Sequence, residues 1–154
     1  MHRAFTNPER QLEMLLEEIH CAPCLTRDLF VKVMQEGCPR LWHLNGRRRA
    51  HLSRLVKDEA WVDAALVLIQ LNSPQWKLRR LQLDDGEWFC SLSKCPAISL
   101  ELDDMADARH EDAALAILAA FLEAERKAVA EPYTNEGNAP CGQMTTLLDC
   151  ENFG

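Results

Sequence analysis

The dipeptide Asp85-Gly86 narrows what this chain can fold into more than any other feature. Asp-Gly suits the positive φ angles at the centre of a tight hairpin turn, and here it joins two runs of strand chemistry, Trp76 to Leu83 and Glu87 to Ser93. A hairpin over 76–93 follows. With Asp85 and Gly86 as the two central residues, Leu83 faces Trp88 and Leu81 faces Cys90, so both apolar pairs share one sheet face. Arg80, Gln82, Phe89 and Ser91 then occupy the other face, which is mainly polar and expected to meet water.

Helices are expected on both sides of this hairpin. Asp58 is a suitable N-cap, and Trp61, Ala64, Ala65 and Leu68 form a stripe that widens to Leu66, Val67 and Ile69. The pattern predicts a largely buried helix over 58–72, stopped by Asn72, Ser73 and Pro74. Further on, Leu115, Leu118 and Leu122 make one row and Ala114, Ile117 and Phe121 another, predicting a helix over 111–129 with a broad apolar face for the sheet. Glu111 and Asp112 in its first turn and Arg126 and Lys127 in its last match the helix dipole. A third strand has two placements that the sequence does not separate: 98–102, where Ile98, Leu100 and Leu102 alternate, or 105–109, just before the last helix.

The first 57 residues read as a helical segment. Leu12, Leu15, Leu16 and Ile19 recur at helical spacing after Thr6, Asn7 and Pro8, predicting a helix over 8–20. Thr26 caps a second, shorter helix carrying Leu29, Phe30 and Val33 on one face, with Gly37 and Pro39 as its stop, and the two are expected to pair as a hairpin. Arg47 to Lys57 follows Asn45-Gly46 as a helix with a narrow apolar stripe, Leu52, Leu55 and Val56, and a positive, solvated face. At the other end, 131–154 is rich in Asn, Gly, Pro and Thr and reads as a flexible tail.

The balance of 47% apolar and 27% charged residues in 154 positions is that of one ordinary globular core. Its longest apolar stretches, Trp61 to Leu71 and Ala113 to Leu122, are far short of the roughly 20 residues that cross a bilayer, and Met1 to Glu18 lacks a secretory leader's apolar core. A cytoplasmic location with no membrane role is expected. Seven cysteines, an odd number, do not form a secreted disulfide framework, so reduced thiols are expected. The net charge of −7 is unevenly spread: residues 40–80 carry nine Lys/Arg against three Asp/Glu, and 81–154 carry four against fifteen. Such opposed patches can steer a charged partner or neutralise each other within the fold.

The helix followed by Trp76-Lys77-Leu78-Arg79, Asp84-Asp85-Gly86-Glu87-Trp88 and the alanine-rich Ala113 to Ala120 resembles the ABA sandwich domain of small bacterial and phage proteins, over about residues 58–125. The resemblance implies a helix, a three-stranded sheet and a second helix in order, and brings no catalytic residues. The order of elements is also similar to the double-stranded RNA-binding domain. That family's last helix begins with phosphate-clamping lysines, whereas this one begins with His110, Glu111 and Asp112 after the acids of 103–107, which would repel RNA.

Three groups of residues could carry chemistry or recognition. Cys21 and Cys24 flank Ala22-Pro23 at a helix boundary, a spacing that can chelate zinc or form a redox pair. A structural zinc needs four ligands, and only Cys38, His43 and His51 offer loosely spaced partners; the simpler reading is two thiols in a helix-helix turn. Arg47, Arg48, Arg49, Arg54 and Lys57 could bind an acidic protein surface or nucleic acid, or pair with Asp103, Asp104 and Asp107 as a solvated face. Trp61, Trp76, Trp88, Phe89 and Phe121 read as core rather than a ligand pocket. His110 reads as a helix-start residue, and Cys90, Cys141 and Cys150 have no evident base or metal beside them.

These observations predict an α+β fold: a helical segment over 1–57, a helix, three strands and helix unit over 58–130 with a small antiparallel sheet, and a tail over 131–154. The function they suggest is that of an interaction or accessory protein, working with another protein or by self-association and needing no cofactor. Zinc or thiol chemistry at Cys21 and Cys24, and nucleic-acid binding through 47–57, are the alternatives.

Overall fold

The structure, a computed structural model, describes residues 7–94 and 104–130, and over these the protein is α+β. The elements are α1 (Pro8–Cys21), α2 (Arg27–Gly37), a 3-10 turn (Pro39–His43), α3 (Gly46–Lys57), α4 (Trp61–Asn72), β1 (Lys77–Asp84), β2 (Glu87–Ser93), β3 (Met105–His110) and α5 (Ala113–Ala130). The strands form one antiparallel sheet in the order β1-β2-β3. The third strand thus takes the second of its two placements; 98–102, the 131–154 tail, Cys95, Cys141 and Cys150 lie outside the described residues.

The hairpin has the expected register, with Leu83 opposite Trp88 and Leu81 opposite Cys90. Asp85 and Gly86 both take positive φ, 52° and 84°, as a type I′ turn requires. One irregularity was not foreseen: the register shifts between Leu78 and Arg80, leaving Arg79 as a bulge. The bulge puts Leu78, opposite Leu92, on the same face as Leu81 and Leu83.

The expectation that the far side of the hairpin meets water holds for Arg80 and Gln82, which are exposed, and needs correction on β2, where Ser91 and Ser93 are buried. β2 is the central strand, and each small serine lies between longer side chains on both neighbours: Arg80 and Asp107 flank Ser91, and Lys77 and Met105 flank Ser93.

α5 is the centre of the molecule. Every side chain from Ala114 to Leu122 is buried, as an all-round apolar helix requires. It packs on β2 and β3 and also contacts α1 and α4. The core is one cluster, running from Leu12, Leu15 and Ile19 through Phe30, Leu41 and Leu52 to Leu68, Leu92 and Phe121. The first two helices are joined by a Lys32–Glu18 ion pair at 2.6 Å, but α1 is packed more extensively on α5 than on α2.

Helix boundaries follow side-chain caps. Asn7 accepts from the Glu9 N–H, Thr26 from Leu29 and Asn45 from Arg48. Two expected starts are corrected. Asp58 is not the N-cap of α4 but the C-cap of α3. Glu59 then takes φ 57°, and the Glu59 and Ala60 N–H groups donate to the Val56 and Leu55 carbonyls, a Schellman closure that delays α4 to Trp61. Asp112 lies outside α5 and caps it, accepting from the Leu115 N–H at 3.0 Å, so Glu111 precedes the helix instead of sitting in its first turn.

Candidate functional site

α4 is less buried than its sequence suggests, and the reason locates the candidate site. Ala64, Ala65, Leu68 and Ile69 turn inward, whereas Leu66, Val67 and Leu71 are half-buried and Val62 is exposed. Leu66, Val67 and Leu71 floor a groove between α3, α4 and the start of β1. Its larger section, about 730 Å³, is lined by His51, Leu55, Asp63, Leu66, Val67 and Trp76, among others. A second section, about 450 Å³, shares His51, Val67 and Gln70 with the first and adds Arg47, Arg48 and Leu71. The groove therefore has an apolar floor, a basic wall at one end, and a further cation, Lys77, and a single carboxylate, Asp63, along its lining.

The basic wall follows from helical spacing. Arg47 and His51 are one turn apart on α3, so with Arg48 they face the outer side of α4. Arg49 is turned to another side of the same helix, half-buried beside Leu41, Trp42 and Leu52, and its Nε is buried without a hydrogen-bond partner among the described residues. Arg54 and Lys57 are exposed. The Lys57 backbone carbonyl accepts from the Arg27 guanidinium at 3.4 Å. The five cations expected as one face are thus distributed around the helix, and only Arg47 and Arg48 line the groove. Of the acids expected to neutralise them, Asp104 pairs instead with Lys94 at 3.4 Å, Asp107 lies on β3 opposite Ser91, and Asp103 is outside the described residues.

Trp76 forms the inner end of the groove. It is buried, Lys94 lies over its ring at 5.2 Å, and its indole N–H has no acceptor among the described residues. The other aromatics divide. Phe121 is fully buried, Trp61 stacks at 5.7 Å on buried Phe30, and Trp88 and Phe89 are half-buried, the latter under the Arg109 guanidinium.

Cys21 and Cys24 are both exposed and are not joined in a disulfide, at the rim of a shallow pocket of about 410 Å³ that also involves Glu18, Asp28 and Lys32. Cys38, named as a possible third ligand, is buried at the C-cap of α2, where burial and then the Glu125 carboxylate push its thiol well up from the ordinary range. His43 lies in the 3-10 turn and His51 in the groove. Among the described residues no three His, Cys, Asp or Glu side chains come together as a metal-binding group. Cys90 is buried on the inner sheet face, and burial followed by the Asp107 charge raises its thiol to about 12.

A polar cluster that the sequence did not suggest ties α4 to α5. The Arg40 N–H donates to Asn72 Oδ1 at 3.2 Å, Asn72 Nδ2 donates to Ser73 Oγ at 3.1 Å, and the Ser73 hydroxyl donates to Glu125. Burial raises the Glu125 carboxyl above its ordinary range, against the opposing effects of Ser73, Arg40 and Asn72. Asn72 and Ser73 read from sequence only as a helix stop; a polar pair next to an apolar stripe signals a buried network only once its acceptor, here on α5, is known.

No protein-family model, curated protein or solved structure matches the chain. Among the described residues no helix is long and apolar enough to cross a membrane.

Proposed function

We propose that this is an accessory protein that receives an acidic, amphipathic helix of another protein in the groove along the outer face of α4. The observation that carries the reading is the pairing of an unfilled apolar row, Leu66, Val67 and Leu71, with the Arg47, Arg48 and His51 wall beside it. A helix laid in such a groove buries its apolar anchors on the floor while its carboxylates meet the guanidinium groups, which offer bidentate hydrogen bonds. The same arrangement suits nucleic acid less well. Phosphates would engage Arg47 and Arg48 but leave the apolar floor uncovered.

The test places a photo-reactive side chain at Gln70, in the groove, and at Gln75, exposed outside it, in the protein expressed in its own cells. A discrete acidic protein cross-linked from Gln70 and not Gln75, and lost in a folded Arg47→Glu/Arg48→Glu variant, supports the reading. Cross-linking that survives the charge reversal, or that captures RNA instead, overturns it.

A further inference from the structure

We propose that two copies of this chain join antiparallel along the outer edge of β1, making one six-stranded sheet with a two-fold axis at Leu81. Among the described residues β1 is an edge strand, paired only with β2, and the alternation of an antiparallel ladder turns half of its backbone N–H and C=O groups away from that neighbour. α5 lies over β2 and β3, so the inner face of β1 projects past its cover. Leu78 and Leu83 are consequently 39% and 55% exposed, two of the few exposed large apolar side chains among the described residues.

The strand is complementary to itself. Pairing in β1 against β2 puts Leu78, Leu81 and Leu83 on the inner face and Lys77, Arg80, Gln82 and Asp84 on the outer, with Arg79 taken out of the alternation by the bulge. Reversing a second copy about Leu81 sets Leu78 against the other copy's Leu83 and Leu81 against its own equivalent, forming a continuous apolar row. On the outer face it sets Lys77 against Asp84 and Arg80 against Gln82. Each pair then lies on a matching face. Without the bulge, Leu78 and Leu83 would point to opposite sides, since five positions separate them and strand side chains alternate. Bulges and edge cations usually block sheet extension. Here the cations stand at one end of the strand and Asp84 at the other, so an antiparallel partner meets them with the opposite charge. A closed, isologous contact of this kind stops at two copies.

The edge shares Lys77 and Leu78 with the lining of the α4 groove but not Arg47 or Arg48, so the Arg47→Glu/Arg48→Glu variant tests the groove alone and Asp84→Lys and Leu83→Arg test the edge alone. The experiment is the solution mass of the full chain by sedimentation across a concentration series, for wild type, Lys77→Asp, Asp84→Lys, the Lys77→Asp/Asp84→Lys double variant and Leu83→Arg. All the altered residues are exposed, and retained circular dichroism shows that each variant folds. The expected result is a reversible species of twice 17.5 kDa, weakened about tenfold by each single reversal, restored in the double swap and abolished in Leu83→Arg. A single-chain mass at every concentration, assemblies larger than two, or a dimer indifferent to these substitutions overturns it.

Discussion

The imidazole of His110 links the end of β3 to the end of α1: its Nε2 donates to the Ile19 carbonyl at 3.0 Å, while its Nδ1 accepts the Asp112 N–H at 2.9 Å. One ring nitrogen must carry a proton and the other a lone pair, which assigns the neutral tautomer protonated on Nε2. Ile19 is in the last turn of α1, where its carbonyl also accepts from the Ala22 cap N–H at 3.2 Å, so a residue 91 positions away in sequence adds a second donor at the helix end. Replacing His110 by Ala leaves both backbone groups without this partner at a site only 8% exposed. The expected loss is about 1–3 kcal/mol of unfolding free energy in urea titrations. Unchanged stability would show that water replaces the ring at no cost.

Glu59 occupies a left-handed position that most side chains avoid, at the Schellman closure between α3 and α4. Glycine adopts that conformation without Cβ strain and gives up some unfolded-state entropy in exchange. Glu59→Gly is therefore expected to stabilise the fold by about 0.5–1 kcal/mol, read as a higher melting temperature. A lower melting temperature would mean that the Glu59 side chain makes a compensating contact.

Glu125 should make stability fall as pH rises. Burial raises its folded pKa above the ordinary 4.5, so the folded chain holds this proton more tightly than the unfolded chain does. The contribution is fully present below 4.5 and is lost as pH climbs through the raised value. Glu125→Gln keeps an oxygen for Ser73 and Asn72 without the charge. Urea titrations at a series of pH values are expected to show the variant losing less stability than wild type above 4.5; parallel profiles would remove Glu125 as the cause.

Gly37 marks a close approach between α2 and α5. A Cβ built there would sit 3.1 Å from Leu122 Cδ2 and 3.6 Å from Leu15 Cδ1. Gly37→Val adds two further methyl groups to that contact and is expected to cost about 1–3 kcal/mol through overpacking. Gly46, with nothing within 4 Å of an added Cβ, is the control, and Gly46→Ala should leave the melting temperature nearly unchanged.

The local chemistry of the chain determined its elements. Asp85-Gly86 set the hairpin register, Asn7, Thr26 and Asn45 set helix starts, and the double apolar rows of 113–122 announced a helix that had to be buried. These signals are legible because a turn, a cap or a periodic stripe is satisfied by residues near in sequence. The third strand, the false start at Asp58 and the bulge at Arg79 were decided by partners or backbone angles that periodicity does not encode. Arg47 and Arg48 were legible as charge, but not as the wall of a groove. That depended on which side of α4 the rest of the molecule would cover: α3 and α5 take one apolar face of this helix and leave Leu66, Val67 and Leu71 partly open, and hydrophobicity alone is the same for both. The His110–Ile19 and Ser73–Glu125 links were likewise left to tertiary structure, because a hydrogen bond across 91 or 52 positions exists only once packing has brought its two groups together and removed the water that would otherwise satisfy them.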